Sequence, residues 1–269
     1  MRMLVDGLAV DRVPALDRGL AYGDGLFESI RLVGTIAPLW SRHMQRLMMS
    51  CERLRLPLPD VELLWREALL VAQGMPESVV RITLTRGVGE RGYAPSSSVA
   101  PMRIVAAFAP PPSRPGALRM RVCDIRLSEQ PLLAGMKHLN RLEQVLARAE
   151  WNDPAIAEGV LCDGRDRVIS ATMANLFARV DGNWLTPALG RCGVAGVARA
   201  EVLAACPQIR VGELSLDALR GASEVFLSSS VRGILPVGSL EGRDYVAGDM
   251  TRRLQQHWRD LGFSTEQAG

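Results

Sequence analysis

Lysine is nearly absent from this chain. Of its 32 basic residues only Lys137 is a lysine, and every other is an arginine. Arginine supplies charge, ion pairs and phosphate contacts as well as lysine does, but its guanidinium stays protonated and is no amine nucleophile. A chain that dispenses with lysine elsewhere has two reasons to retain one. Chance in a composition drifting toward arginine is the first. Covalent chemistry is the second, since a Schiff base to a carbonyl needs a primary amine whose pKa burial can lower. Cysteine is scarce too. Cys51, Cys123, Cys162, Cys192 and Cys206 are odd in number, far apart and never in C-x-x-C spacing, so no zinc site or disulfide framework is indicated and buried, reduced thiols are predicted. No apolar run reaches bilayer-spanning length, and the N-terminal Met1-Arg2-Met3-Leu4-Val5-Asp6-Gly7 meets acidic residues before a signal-peptide core could form. A cytoplasmic protein without membrane association is expected. The net charge is only +3, with arginines interleaved among Asp and Glu, which leaves no footprint for nucleic acid. Internal repeats, low-complexity segments and a G-x-G-x-x-G opening a βα unit are also missing.

What is present is a 269-residue chain, 48% hydrophobic and 23% charged, long enough for a core without disulfide staples. The linker signal is Ala109-Pro110-Pro111-Pro112-Ser113-Arg114-Pro115-Gly116, whose prolines forbid helix and interior strand. It predicts a smaller N-terminal α/β domain over 1–109, a linker over 110–116 and a larger β-rich domain over 117–269. In the first, Phe27 to Leu32 and Thr35 to Leu39 read as strands around a Val33-Gly34 turn. A helix with Ser41 as N-cap follows, its apolar face formed by Met44, Leu47, Met48, Cys51 and Leu54 and its polar, exposed face by His43, Arg46 and Arg53. A second helix runs from after Asp60 to Gly74. Strands Ser78 to Thr85 and Met102 to Phe108 flank the glycine-rich loop Arg86-Gly87-Val88-Gly89-Glu90-Arg91-Gly92-Tyr93. Beyond the linker, strands are predicted at Leu118 to Ile125, Gly159 to Leu161, Asn175 to Val180 and Trp184 to Thr186, with tight turns at Asp163-Gly164 and Asp181-Gly182. Helices are expected at Leu139 to Trp151, Val197 to Ala205 and Asp249 to Leu261. The order of elements is α+β, without the alternation of a Rossmann fold.

Lys137 follows the apolar stretch Pro131-Leu132-Leu133-Ala134-Gly135, so partial desolvation of its amine is expected. The glycine-rich Arg191-Cys192-Gly193-Val194-Ala195-Gly196-Val197-Ala198-Arg199 leads into a predicted helix, whose free N–H groups and positive dipole end suit a phosphate. Arg46 and the hydroxyl run Ser228-Ser229-Ser230 are candidates to complete such an anion site. Each alone reads as a solvated surface group or a strand end, and only their combination points to an anion site.

Taken in order, Asp17-Arg18-Gly19-Leu20-Ala21-Tyr22-Gly23-Asp24-Gly25-Leu26-Phe27-Glu28, His43-Met44-Gln45-Arg46-Leu47, Lys137, Ala174-Asn175-Leu176-Phe177 and Gly193 to Arg199 resemble the signature of the fold-type IV pyridoxal-phosphate enzymes, the group that includes D-amino-acid and branched-chain aminotransferases. Within it, Leu133 to Gln144 and the Arg86-Gly87 to Arg91-Gly92-Tyr93 segment are most similar to the branch that cleaves 4-amino-4-deoxychorismate. Branched-chain aminotransferases usually place a tyrosine five residues after the lysine, where this chain has Leu142.

The resemblance implies a two-domain fold with pyridoxal 5′-phosphate between the domains, a homodimer, and a lyase of folate synthesis that releases 4-aminobenzoate and pyruvate. Lys137 would carry the cofactor as a Schiff base and act as the catalytic amine. Arg46, the amides of Val197 and Ala198 after Gly196, and the Ser230 hydroxyl would hold its phosphate. Arg91, with Tyr93, would take a substrate carboxylate, a partner suited to a planar guanidinium, and the Arg86 to Ser98 loop could reach a partner subunit. No metal is implied. One departure stands out. In Ile169-Ser170-Ala171-Thr172-Met173-Ala174-Asn175-Leu176-Phe177, Ser170 takes the place of the glutamate that the family sets against the pyridine nitrogen. A carboxylate keeps that nitrogen protonated far better than a hydroxyl does. Three readings stay open: a lyase that aromatisation spares from needing the glutamate, an aminotransferase for D-amino or branched-chain amino acids, and a cofactor-binding protein with impaired catalysis.

Overall fold

A computed structural model describes residues 2–95, 100–112 and 116–263. The chain divides into two compact units, Met1–Pro111 with Met136–Asn140, and Pro112–Gly135 with Arg141–Gly269. The main break falls within the proline run, at Pro111–Pro112. The five residues that carry Lys137 return to the first unit because they pair with one of its strands.

The first unit is a four-stranded antiparallel sheet in the order β1 (Arg2–Val5), β4 (Met102–Phe108), β3 (Glu77–Thr85), β2 (Gly25–Val33). Alternation along β2 buries Leu26, Glu28, Ile30 and Leu32, the face met by helix α2 (Trp40–Leu54) with its buried Met44, Leu47 and Cys51. Four residues at period two against three at helical spacing make an apolar seam. Glu28 is the one charged residue in it. Helix α3 (Val61–Ala72) is capped by Asp60, whose carboxylate accepts from the Glu62 and Leu63 amides at 2.9 and 3.0 Å, and Gly74 follows at φ +78°. A short helix, α1 (Arg18–Tyr22), starts on an Asp17 cap and stops at Gly23 in the left-handed region.

Residues 35–39 do not form the expected second strand of a hairpin. Only Val33 and Ile36 bridge, because Pro38 lacks a donor and α2 begins at Trp40. The N-cap of α2 is Leu39, without a side-chain cap, rather than Ser41. β2 takes β3 as its partner over nine residue pairs, Gly25 with Thr85 through Val33 with Glu77.

In the second unit one sheet runs β10 (Arg210–Gly212), β9 (Asn183–Pro187), β8 (Asn175–Val180), β11 (Glu224–Ser229), β12 (Gly233–Leu240), β5 (Leu118–Leu127), β6 (Ile156–Asp163), β7 (Val168–Ala171), and β13 (Arg243–Asp244) pairs with β12. Phe177 and Phe226 face each other across β8 and β11, rings stacked at 4.7 Å. On the opposite face of the sheet Val160, Leu176, Ala178 and Leu227 are fully buried in a core cluster of their own. Asp181 and Gly182, at φ 49° and 77°, form the tight turn that the sequence signals between β8 and β9. The helices are α4 (Leu142–Ala149), α5 (Val197–Ala205), α6 (Leu216–Gly221) and α7 (Asp249–Asp260). The expected helix from Leu139 to Trp151 is shorter, since residues 137–139 are taken up in strand pairing. All five cysteines are free and buried, and burial pushes the thiols of Cys51, Cys162 and Cys192 up to about 11. Among the described residues no helix is long and apolar enough to cross a membrane.

Candidate active site

Lys137 lies on an extended segment paired with the free edge of β2. The Phe27 amide donates to the Lys137 carbonyl at 2.9 Å, the Leu139 amide donates to the Gly25 carbonyl at 3.0 Å, and Leu26 and His138 form an antiparallel bridge. This register sets Lys137 directly opposite Phe27, so the two side chains rise from the same face of the sheet. The Lys137 Nζ sits 4.3 Å from the centroid of the Phe27 ring, a cation–π contact that orients the amine. The amine is partly buried and is not at a helix start.

The neighbouring residue on β2, Glu28, points to the opposite face and is only 1% exposed. Its carboxylate accepts from Arg46 at both oxygens, from Nε at 2.8 Å and from Nη2, and from the His43 Nδ1 at 2.7 Å. Burial alone would push this carboxyl up, but the Arg46 guanidinium and His43 outweigh it and hold the pKa at about 2. Burial pushes the His43 imidazole down, against the pull of Glu28, with the Arg46 and Lys137 charges adding to the fall. His43 is therefore neutral, its Nδ1–H donated to Glu28. His43 and Arg46 thus converge on Glu28 on one face of β2, while Lys137 meets Phe27 on the other. His43 and Arg46 are three apart and share a helix face, but that face is turned to Glu28 and not to solvent. The expectation of an exposed polar face is corrected for both.

In the second unit the backbone of Gly135 is tied to the glycine-rich loop, its N–H donating to the Gly193 carbonyl at 2.9 Å and its carbonyl accepting from the Ala195 amide at 3.0 Å. Gly193 takes φ +83°, and the Asn175 amide holds the Val194 carbonyl at 2.9 Å. Gly196 is the N-cap of α5 and offers no side-chain cap, so the amides of buried Val197 and Ala198 lie at the positive end of a nine-residue helix. A Cβ on Gly196 would stand 2.0 Å from the Asn175 Oδ1, which leaves glycine as the residue that fits there. Ser228 pairs with Asn175 across β11 and β8, and its buried hydroxyl has no hydrogen-bond partner among the described residues. Uncapped buried amides and an orphaned hydroxyl are what a phosphate ester or similar oxyanion would satisfy. Ser170 is buried in β7 opposite Leu161. Beyond that strand, fully buried Glu158 accepts from the Thr172 hydroxyl, the Met173 amide and Arg232, which fixes the turn between Ser170 and Asn175.

The amino-transferase class IV model matches residues 25–240. The chain belongs to this family. It is 37% identical over 267 residues to the aminodeoxychorismate lyase of Vibrio harveyi, covering 93% of this chain and 97% of that protein. It is 29% identical to the D-alanine aminotransferase of Staphylococcus epidermidis, covering 89% of each. The crystal structure of 4-amino-4-deoxychorismate lyase from Pseudomonas aeruginosa superposes with a TM-score of 0.91 at 42% identity, over 96% of this chain and 98% of that one. The α+β, fold-type IV architecture is thereby shown.

Against this class IV background the expected site residues fall into three groups. Lys137 and Arg46 lie in the first unit, Lys137 against Phe27 and Arg46 on Glu28. Gly196, Val197 and Ala198 lie in the second at the start of α5, with Ser230 just past the end of β11 and Ser170 in β7. Arg91 and Tyr93 stand on the loop between β3 and β4, Tyr93 being 86% exposed; Ser96 to Ser98, the far part of the loop expected to reach a partner, lie outside the described residues. Two residues of the site were given no role from the sequence, Glu28 and Asn175, while Ser228 was named there as part of the hydroxyl run. The signal for Glu28 was a carboxylate at an apolar beat of a strand, followed by His and Arg one helical turn apart.

Proposed function

We propose that the chain is an aminodeoxychorismate lyase that binds pyridoxal 5′-phosphate covalently through Lys137 and converts 4-amino-4-deoxychorismate to 4-aminobenzoate and pyruvate. The observation that carries this reading is the chain's one amine side chain, fixed opposite Phe27 by strand pairing, in a protein similar along nearly its whole length to two such lyases. The uncapped Val197 and Ala198 amides and the Ser228 hydroxyl support a phosphate ester in the second unit. Arg46, the Val197 and Ala198 amides after Gly196, and the Ser230 hydroxyl would hold the phosphate, and Ser170 would face the ring nitrogen. When bound, the cofactor supplies an electron sink for charge developing at the substrate's C4.

The Lys137 Nζ takes the proton from C4 and returns one to the departing enolpyruvyl carbon as pyruvate forms, so a single group serves as base and then as acid. Arg46, oriented by Glu28, anchors the phosphate end. Arg91 and Tyr93 would receive a substrate carboxylate. Ser170 leaves the ring nitrogen without a carboxylate partner, which weakens the electron sink. Elimination that ends in an aromatic ring tolerates a weak sink better than transamination does, so Ser170 supports the lyase over the aminotransferase reading. We further propose a cytoplasmic homodimer. The exposed Leu142, Val145 and Leu146 of α4 support a contact surface, and sedimentation velocity would measure it.

The test is purified protein with aminodeoxychorismate, expected to release 4-aminobenzoate and pyruvate in equal amounts without a keto-acid acceptor. Conversion of the cofactor to pyridoxamine phosphate by D-alanine or a branched-chain amino acid, with no 4-aminobenzoate formed, would establish the aminotransferase instead.

A further inference from the structure

The Asp17-Arg18-Gly19 run has no part in the chemistry above, yet Arg18 is only 5% exposed and is among the most heavily bonded residues of the first unit. Its amide donates to the Gly87 carbonyl at 2.8 Å. Its guanidinium donates through Nη1 to the Gly92 carbonyl and through Nη2 to the Tyr93 carbonyl, both at 2.9 Å. One residue thus grips both ends of the stretch Gly87 to Tyr93. The third face of the fork, Nε, is neutralised by Asp24 at 3.0 Å, and Asp24 also accepts from the Arg86 Nε at 2.7 Å.

The loop is shaped to admit this arm. A Cβ on Gly89 would meet the Arg18 Cδ at 2.7 Å, so the aliphatic part of the arm passes where residue 89 has no side chain. Tyr22, one helical turn after Arg18, lies 5.0 Å from its guanidinium, accepts from the Gly92 amide at 3.2 Å and packs its ring 5.5 Å from that of Tyr93. The base of the arrangement is rigid as well. The Thr85 hydroxyl donates to Asp17 at 2.6 Å and accepts from the Gly87 amide at 3.0 Å. Arg91, between the two gripped points, is exposed and forms no ion pair with any described residue.

We infer that Arg18 is a positioning residue for substrate recognition: by fixing the carbonyls of residues 92 and 93 it presents the Arg91 guanidinium to a substrate carboxylate. This rests on the reading of Arg91 as the carboxylate-binding residue. Without the clamp Arg91 sits on a loop whose ordering must be supplied at each binding event, an expense that appears in substrate affinity. A lysine at position 18 keeps the charge but lacks the planar fork that spans two carbonyls and Asp24.

The experiment compares Arg18→Lys, Gly89→Ala, Arg91→Ala and the double variant Arg18→Lys/Arg91→Ala, each with cofactor bound. KM and kcat for aminodeoxychorismate and the dissociation constant for pyridoxal phosphate are measured for each. Arg18→Lys and Gly89→Ala are each expected to raise KM roughly tenfold, the loss of about two hydrogen bonds' worth of ordering, with cofactor affinity kept and kcat falling less than twofold. The double variant is expected to match Arg91→Ala alone, since a clamp with nothing to present has no further effect. Additive losses in the double variant would overturn the inference, as would a fall in kcat or cofactor affinity as large as the rise in KM. Should Arg18→Lys fail to fold, Gly89→Ala, which retains every polar group, carries the same comparison. An unchanged KM in Arg91→Ala would sink the reading of Arg91, and the inference with it, and would be distinguishable from a failure of the clamp alone.

Discussion

Glu28→Gln tests whether the buried carboxylate of the first unit supports the fold or burdens it. Buried carboxylates are often a burden, and replacing a buried ion pair by apolar residues is frequently neutral or stabilising. Here burial raises the pKa, yet Arg46 and His43 bring it down to about 2, so the partners outweigh desolvation and removing the charge should destabilise. The geometry gives the size. In one flip of the glutamine its NH2 confronts the Arg46 Nη2 and His43; in the other it confronts the Arg46 Nε. A tautomer change can rescue His43 but no flip rescues Arg46, so a donor meets a donor either way. Breaking a buried pair in this manner is worth about 3 kcal/mol or more. With a urea dependence of roughly 1–3 kcal/mol per molar, the midpoint should fall by at least about 1 M. The assay is equilibrium unfolding of the whole chain freed of cofactor, followed through Trp40 and Trp65, which pack edge to face at 4.7 Å in the first unit. An unchanged or raised midpoint would refute the argument. Adding Arg46→Met to Glu28→Gln should recover part of the loss, because it removes the stranded cation.

Lys137→Arg keeps the charge and should lower lyase turnover by at least about a hundredfold while leaving the thermal midpoint near that of the parent; comparable turnover would disprove the role of the amine. Gly196→Ala, whose Cβ would collide with the Asn175 Oδ1, should weaken pyridoxal phosphate binding by about tenfold from the strain of overpacking, read by titrating the apoprotein. The His43 pKa is lowered from 6.5 in the folded chain, so as pH falls below about 6.5 the unfolded chain takes the proton first and stability declines. Glu28, held at about 2 against 4.5, contributes stability that is present above 4.5 and lost as pH falls from there toward 2. His43→Asn should therefore flatten the urea midpoint between pH 6.5 and 4.5, with both proteins losing stability below that; a slope unchanged by the substitution would count against a buried neutral imidazole.

Strong local grammar made much of the fold legible. β8 and α5 fall where the sequence places them, and Asp181-Gly182 turns as an Asp-Gly pair should, because each is decided by residues within a few positions. Short elements were harder. β7, β10, β13 and α6 are two to six residues long, too brief for a period to show, and Pro236 disguises β12. The candidate site divided along the same line. Lys137 stood out by its rarity alone. His43 and Arg46 were read as a solvent face because their partner, Glu28, lies on another element and reaches them only through the packing of α2 on β2. A single polar residue inside an apolar beat gives no indication of which distant cation will balance it. The Arg18 clamp was invisible for the same reason, its two carbonyl partners lying 74 and 75 positions away.

The pairing of residues 137–139 with β2 also bears on the order in which the protein can be made. The N-terminal 111 residues leave the ribosome before the segment that completes their sheet. Until residue 140 has emerged, β2 is an open edge, with the Phe27 amide awaiting the Lys137 carbonyl and the Gly25 carbonyl awaiting the Leu139 amide. An unpaired, largely apolar edge strand is a template for association with other chains. A fragment ended at the proline run should accordingly aggregate where one extended through Asn140 would have its edge covered. In the folded chain the segment that carries Lys137 is thus also the cover of that edge.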